Sequence, residues 1–228
     1  MALDLASLKT QLVEKGYKED KVTKFVAYLS GESAKQNNAV DKHTVLELMN
    51  LFAKYYNVGS NLDGVNVVLT GKNMALITAN GYRNKVRAVY PDLFLDVQLI
   101  REGDNFGFKK INGKVEYTHE ITNPFEEKKI IGAYCVLRYG DGNELLETLN
   151  PIDFQKMKDS SRNQATWNKW ESEFWKKSVV KRACKANFAE EIRDLDEIDN
   201  EDYGLEDEKA SDDTKSAILA AHAKNKTK

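Results

Sequence analysis

Residues 156–188, KMKDSSRNQATWNKWESEFWKKSVVKRACKANF, combine basic and aromatic side chains in one segment without Pro or Gly. Nine Lys or Arg side chains stand against three acidic ones. From about residue 167 onward no residue type breaks a helix, so the pattern predicts one continuous helix turning about 100° per residue. One apolar face of that helix is predicted to be buried against the rest of the protein, and it holds Trp175, Val179, Ala183 and Ala186.

The opposite side of the predicted helix carries a lysine row that consists of Lys177, Lys181 and Lys185. Large aromatic residues continue the row towards the N-terminus: Trp167, Trp170 and Phe174. Phosphates need cations and unstacked bases need flat aromatic surfaces, so this face is a candidate nucleic-acid interface. The spacing alone leaves a second interpretation open, in which the lysines are only solvated and the aromatic residues belong to the core.

Several short sequence blocks, within this segment and upstream of it, are similar to known motifs. Residues 158–162 (KDSSR), with Trp167 after them, are similar to K-x-x-S-S followed by Trp, and residues 176–185 (KKSVVKRACK) are similar to K-K-T-V-I-R-R-L-x-K. Upstream, residues 101–108 (REGDNFGF) are similar to R-E-G-D-x-F-x-F, and two Gly-containing blocks precede them at residues 71–73 (GKN) and 81–83 (GYR). With these blocks in this order, about residues 60–188 of the chain resemble the RecT family.

The resemblance implies a function in DNA recombination and DNA repair. Members of that family are phage and prophage recombinases, distantly related to the Red beta protein. They coat single-stranded DNA (ssDNA) without ATP and anneal it to a complementary strand through a duplex intermediate. The resemblance further implies a homo-oligomer, either a ring or a helical filament, in the cytoplasm of a bacterial host. A phage exonuclease and the host single-strand-binding protein are implied partners, and neither enzyme activity nor a cofactor is expected.

The basic helix and the resemblance together give the candidate DNA-binding residues, which are Lys72, Arg83, Arg162, Trp167, Lys177, Lys181, Arg182 and Lys185. For Trp167 two roles are open, because the ring could stack on a base or pack beneath the helix, and packing is favoured. Arg182 borders the predicted buried face, so its charge could serve a subunit interface instead.

Charge is strongly segregated along the 228 residues, although the formal net charge is only −2. Residues 190–213 carry thirteen acids and two bases, a net of −11, whereas residues 1–189 carry +5. No apolar run reaches the length of a membrane span and the first residues lack the regions of a signal peptide, which predicts a soluble intracellular protein. The sequence contains no GxxxxGK[ST] motif for ATP, and its cysteines and histidines are isolated, so no metal site is predicted.

The periodicities predict an α+β fold. Three helices in residues 1–58 form an N-terminal helical region expected to oligomerise, and residues 59–193 form the DNA-binding annealing core. That core combines a mostly antiparallel sheet with a short basic helix at residues 80–90 and the long basic-aromatic helix near its end. Its first strand is placed at residues 62–69. Residues 194–228 are predicted to be an acidic, disordered C-terminal tail, because they hold too little apolar surface to fold alone.

Two other functions remain open at this level. One is a metal-dependent nuclease or other DNA-processing enzyme of phage origin, with candidate carboxylates at Asp92, Asp96, Glu102 and Asp104, although Gly103 is expected to interrupt their strand. The other is a protein adaptor that acts through the acidic tail. The tail could also compete with DNA for the basic helix or dock a partner protein, and docking is the favoured hypothesis.

Overall fold

The computed structural model describes residues 4–31, 43–71, 74–112, 114–161 and 164–202, and within these ranges the chain has the predicted α+β architecture. It begins with three helices, as the leucine and aromatic periodicity predicts: α1 (Leu5–Glu14), α2 (Glu19–Ser30) and α3 (Val45–Asn57). A capping box starts α3, in which Thr44 accepts a hydrogen bond from the Glu47 N–H and the Glu47 carboxylate accepts one from the Thr44 N–H.

The described strands pair only with antiparallel neighbours. They are β1 (Val67–Gly71), β2 (Met74–Ile77), β3 (Phe94–Arg101), β4 (Asn105–Ile111), β5 (Lys114–Glu120), β6 (Ile130–Arg138) and β7 (Glu144–Leu149). Two hairpins, β1–β2 and β4–β5, stand beside a three-stranded sheet in the order β3-β6-β7. Asn112, at the turn between β4 and β5, has a φ of 50°, a left-handed conformation that Asn tolerates.

The remaining helices are α4 (Ala79–Val89), α5 (Pro151–Asp159), α6 (Gln164–Lys169), α7 (Glu171–Asn187) and α8 (Arg193–Asp202). Local sequence explains where two of them begin. Thr78 caps α4 by accepting from the Gly81 N–H, and Asn150 caps α5 by accepting from the Asp153 N–H. Pro151 occupies the first turn of α5, where its missing N–H leaves no hydrogen bond unmade.

The central strand of the three-stranded sheet, β6, is buried on both faces along most of its length. Along β6, Ala133, Cys135 and Leu137 point into the main core, whereas Tyr134 and Val136 face the β4–β5 hairpin. Helix α7 contacts all three strands of this sheet and also packs against α4. A single cluster of buried side chains extends from Leu8 in α1 to Ile198 in α8, so the N-terminal helices share their core with the rest of the described chain.

Two elements differ from the sequence predictions. The first strand begins at Val67 rather than residue 62, because the Asp63 carboxylate accepts hydrogen bonds from the N–H groups of Val65 and Asn66 and holds a turn there. The acidic segment is helical up to Asp202, so the folded body extends past the predicted boundary at residue 193. Leu195 is fully buried and Ile198 nearly so, and these contacts with the body stabilise a helix that could not fold alone.

Candidate nucleic-acid interface

Helix α7 is the platform for most of the candidate residues. Its buried side holds Trp175, Val179 and Ala183, as predicted, and the Trp175 ring stacks on Phe154 of α5 with 3.9 Å between ring centroids. Ala186 is exposed, so the prediction that it continues the buried face is wrong. The chain leaves α7 at Asn187 and turns through Phe188, which is buried in its place.

The predicted continuous helix is interrupted at Trp170, whose φ of −121° and ψ of 36° are not helical. Helix α6 ends just before this residue and α7 begins just after it. The Trp167 ring stacks on Phe174 at 4.3 Å and contacts Phe154 at 5.4 Å between centroids. Trp167 is therefore half-buried against the core, which is the packing role favoured by the sequence.

Lys177 lies where the lysine row was predicted to lie, on the exposed surface of α7. Its ammonium is 5.5 Å from the centroid of the Phe174 ring, a cation–π distance. Among the residues that the structure describes, Lys177 makes no ion pair, so its charge is available to a phosphate.

Lys181 and Lys185 have a different environment, because α8 lies alongside them. The Lys181 ammonium is 3.1 Å from an Asp199 carboxylate oxygen, and the Lys185 ammonium forms an ion pair with Asp196. Both ammonium groups also lie over the Tyr82 ring of α4, at 5.1 and 5.3 Å from its centroid. Acidic side chains of the chain itself thus neutralise two of the three lysines in the row.

This cluster of lysine, tyrosine and aspartate side chains is largely buried. The Tyr82 hydroxyl donates to Asp199 at 2.9 Å and lies 3.2 Å from Asp196, and burial together with these carboxylates raises the pKa of Tyr82 far above its usual value. Burial lowers the pKa of Lys181, although the neighbouring Asp199 opposes the shift. Asp199 is only 5% exposed, so its charge depends on Lys181, on Lys185 at 3.7 Å and on Tyr82.

Arg182 is held by two carboxylates from neighbouring elements. Its guanidinium donates to Glu147 of β7 at 2.7 Å and to Asp153 of α5 at 2.8 Å. The hydrogen bond to Glu147 is the main reason that the pKa of Arg182 is raised. Arg182 therefore ties α7 to the sheet and to α5.

Arg83 of α4 is half-buried, and its Nε atom is buried without a hydrogen-bond partner among the described residues. Its charge acts on two buried thiols, Cys135 and Cys184, where burial raises the pKa of each to about 12 and Arg83 partly opposes the rise. Arg83 thus contributes its charge to the interior beneath α7. Two further candidates, Lys72 and Arg162, lie outside the described residues.

The individual acidic partners of the lysine row were not predicted from the sequence, although competition of the acidic tail with DNA for the basic helix was considered. Ile192, just before α8, and Leu195 and Ile198 within it are buried. Asp196 and Asp199 follow Ile192 and Leu195 by four residues and lie close to the same face, so the packing of α8 presents both carboxylates to α7. That apolar spacing is a helical signal within an otherwise acidic segment, and it was present in the sequence.

The carboxylates proposed for a metal-dependent reaction do not meet. Strand β3 ends at Arg101, Gly103 adopts a φ of 91°, and the expected interruption is confirmed. Asp96 pairs with Arg138 at 3.5 Å, and Asp104 accepts from the Arg101 N–H at 2.7 Å. Within the described ranges, no group of three or more His, Cys, Asp or Glu side chains is placed to share a metal ion.

The described helices include none that is both long enough and apolar enough to cross a membrane. The structure thus defines an α+β protein in which a basic, aromatic-flanked helix lies across an antiparallel sheet. Residues 90–217, more than half of the chain, match the model of the RecT family, and the chain belongs to this family. The matched range contains α7 and α8, and it begins after the blocks at residues 71–73 and 81–83. Among curated protein sequences, none matches this chain.

Proposed function

We propose that this protein binds single-stranded DNA and anneals it to a complementary strand without ATP, in phage homologous recombination in a bacterial host. The observation that carries the proposal is the RecT-family match over residues 90–217, which spans the whole of α7 with its basic and aromatic surface. Membership of this family supports ssDNA annealing. The exposed ammonium of Lys177 is suited to bind a phosphate.

The mechanism needs phosphate neutralisation more than it needs sequence recognition. Two polyanionic strands approach each other only when cations offset their charge, and their bases must stay accessible for pairing. Lys177 can act in this way directly. Lys181 and Lys185 can do so only if a phosphate displaces Asp199 or Asp196, since those carboxylates occupy the ammonium groups. Arg182 holds α7 in place beneath this surface through its contacts with Glu147 and Asp153.

Assembly would make many weak phosphate contacts act together. The N-terminal helical region, residues 1–58, is the proposed site of oligomerisation into a ring or filament. Residues beyond the annealing core, 194–228, are the proposed contact for a phage exonuclease or the host single-strand-binding protein.

The direct test mixes the purified protein with two complementary oligonucleotides, one carrying a fluorophore and the other a quencher. Without nucleotide, we expect the protein to accelerate the loss of fluorescence well above the spontaneous rate. The same reaction is run with Mg²⁺ and analysed on a denaturing gel, where intact strands are expected. An absolute requirement for ATP would refute the proposed mechanism, and shortened strands would favour the nuclease alternative.

A further inference from the structure

Trp170 lies between α6 and α7, and neither burial nor a capping hydrogen bond explains a large aromatic residue at this position. Its side chain is 54% exposed, whereas Trp175 is 2% exposed. It occupies the N-cap of α7 but forms no side-chain capping hydrogen bond. Ser, Thr, Asp or Asn at an N-cap would satisfy a free backbone N–H and stabilise the helix, which an indole does not do. The ring therefore contributes little to folding for its size.

Two lysines that form no ion pair within the described residues lie over aromatic rings at this corner. The Lys169 ammonium lies 5.6 Å from the centroid of Trp170, and the Lys177 ammonium lies 5.5 Å from that of Phe174, one turn further along. Within the described chain, neither lysine forms an ion pair, in contrast to Lys181 and Lys185. We name the set Lys169, Trp170, Phe174 and Lys177 the corner surface.

The acidic side chains nearest the corner surface are already engaged. Glu171 accepts a hydrogen bond from the Trp175 indole N–H at 3.3 Å, and Glu173 pairs with Lys176 at 3.0 Å. Those carboxylates disfavour a phosphate directly at the start of α7. The phosphate contacts of the corner surface are therefore assigned to Lys169 and Lys177.

We propose that Trp170 stacks on an unpaired base of single-stranded DNA while Lys169 and Lys177 neutralise the neighbouring phosphates. The inference rests on the proposed function and adds to it a residue that holds a base. Stacking uses the face of the base and leaves its Watson–Crick edge free, so a stacked strand can still pair with its complement. Bases inside a duplex are already stacked on each other, so this contact favours single strands over duplex.

The test compares Trp170→Ala with the wild type on two strands of equal length, oligo-dT and an abasic strand with the same phosphates. On oligo-dT we expect Trp170→Ala to weaken binding roughly tenfold, within the range for loss of one stacked base. On the abasic strand the two proteins should bind equally. The slope of log affinity against log salt should not change, because no phosphate contact is lost. Phe125→Ala, which removes a 97% exposed aromatic ring from a loop, is the matched control and should bind as the wild type does.

Intrinsic fluorescence gives a second readout that does not depend on affinity. Titration with oligo-dT should quench the wild-type emission, and Trp170→Phe should lose most of that quenching, since Trp175 is buried and Trp167 is packed on Phe174. Equal affinity of Trp170→Ala and wild type for oligo-dT, or full quenching in Trp170→Phe, would overturn the base-stacking inference while leaving annealing intact. A wild-type protein that binds no single strand would overturn both.

Discussion

At the scale of single residues, the lysine row separates into two kinds of side chain that the same spacing cannot distinguish. Lys177 is exposed and has no ion pair within the described chain, whereas the Lys181 side chain is 25% exposed and pairs with Asp199. A helical wheel reports the direction of each side chain from one helix axis. It carries no information about a second helix that covers part of that surface.

Alanine at position 177 should therefore affect DNA binding, whereas alanine at position 181 should affect stability. Lys177→Ala should leave thermal stability unchanged and reduce the salt dependence of ssDNA binding by about one phosphate contact, a change of roughly 0.7 to 1 in the slope. Lys181→Ala should lower the free energy of unfolding by roughly 2 kcal/mol, because it leaves the buried Asp199 carboxylate with only Lys185, at 3.7 Å, as a cationic partner. Urea denaturation and binding isotherms at several salt concentrations measure both effects.

The double variant Lys181→Ala/Asp199→Asn is the control for this explanation. Removing the weakly compensated Asp199 charge should recover part of the lost stability, since a neutral amide is less unfavourable when buried than a carboxylate. If Lys181→Ala unfolds at the same urea concentration as the wild type, the pair with Asp199 is not a stabilising contact and Lys181 is free to bind DNA.

At the scale of elements, the β4–β5 hairpin is fastened to the central sheet by a buried polar chain. His119 of β5 lies 3.1 Å from the Tyr134 hydroxyl of β6 and 3.3 Å from the Asp104 carboxylate. With its proton on Nε2, His119 donates to Asp104 and accepts from Tyr134, which satisfies all three groups. The Phe106 ring stacks on Tyr134 at 5.0 Å beside this chain.

The stability of Asp104→Asn relative to the wild type should depend on pH, and this dependence should reveal the contact with His119. Burial alone would raise the pKa of Asp104, but hydrogen bonds from the Arg101 N–H and from His119 outweigh it and leave the pKa below the ordinary 3.8. A carboxyl whose pKa is lower in the folded protein than in the unfolded chain stabilises the fold at pH values above the unfolded pKa. This contribution is lost as the pH falls through the folded pKa. At pH 7 we expect Asp104→Asn to be less stable by about 1.5 to 3 kcal/mol.

The difference between Asp104→Asn and the wild type should shrink as the pH falls below about 4, where this carboxyl is protonated in the unfolded chain before it is protonated in the folded one. Melting temperatures measured between pH 7 and pH 3 provide the comparison. A stability difference that stays constant over this range would show that the charge of Asp104 is not what fastens the hairpin.

The elements whose signals are local could be predicted from the sequence. Asn112, a residue that tolerates the left-handed conformation at the β4–β5 turn, and Pro151, in the first turn of α5, are local signals of this kind. The interruption at Trp170 has no local breaker, because it accompanies the stacking of Trp167 on Phe174 and Phe154, residues brought together only by the tertiary fold. For the same reason the lysines of the candidate site were found, but not the carboxylates that cover two of them.

At the scale of the whole molecule, part of the acidic segment pairs with the basic helix α7 inside the fold. Of the net −11 in residues 190–213, residues 190–202 contribute eight acids and one base, a net of −7, and they form or flank α8. Residues 203–228 contain five acids and five bases and are neutral as a whole. Most of the acidic excess thus belongs to the element that pairs with α7.

Two truncations should therefore behave differently. Removing residues 203–228 should leave thermal stability unchanged, because α8 is retained. Removing residues 194–228 should lower the free energy of unfolding by roughly 3 to 6 kcal/mol, since Leu195 and Ile198 lose their burial and the lysine row loses its partners. Urea denaturation of the two truncated proteins beside the full chain tests the comparison, and equal stability of both would mean that α8 is only loosely attached.

The shorter truncation also distinguishes the two roles considered for the tail. A neutral segment cannot compete electrostatically with DNA to a large extent, so the protein ending at Asp202 should bind ssDNA at low salt with the affinity of the full chain. Partner docking through residues 203–228 predicts the same unchanged affinity together with reduced recombination in cells. A several-fold gain in affinity at low salt that disappears as salt is added would instead assign these residues to autoinhibition. The docking role is favoured for residues 203–228, because the acids that occupy Lys185 and Lys181, namely Asp196 and Asp199, lie in α8 and remain in the shorter truncation.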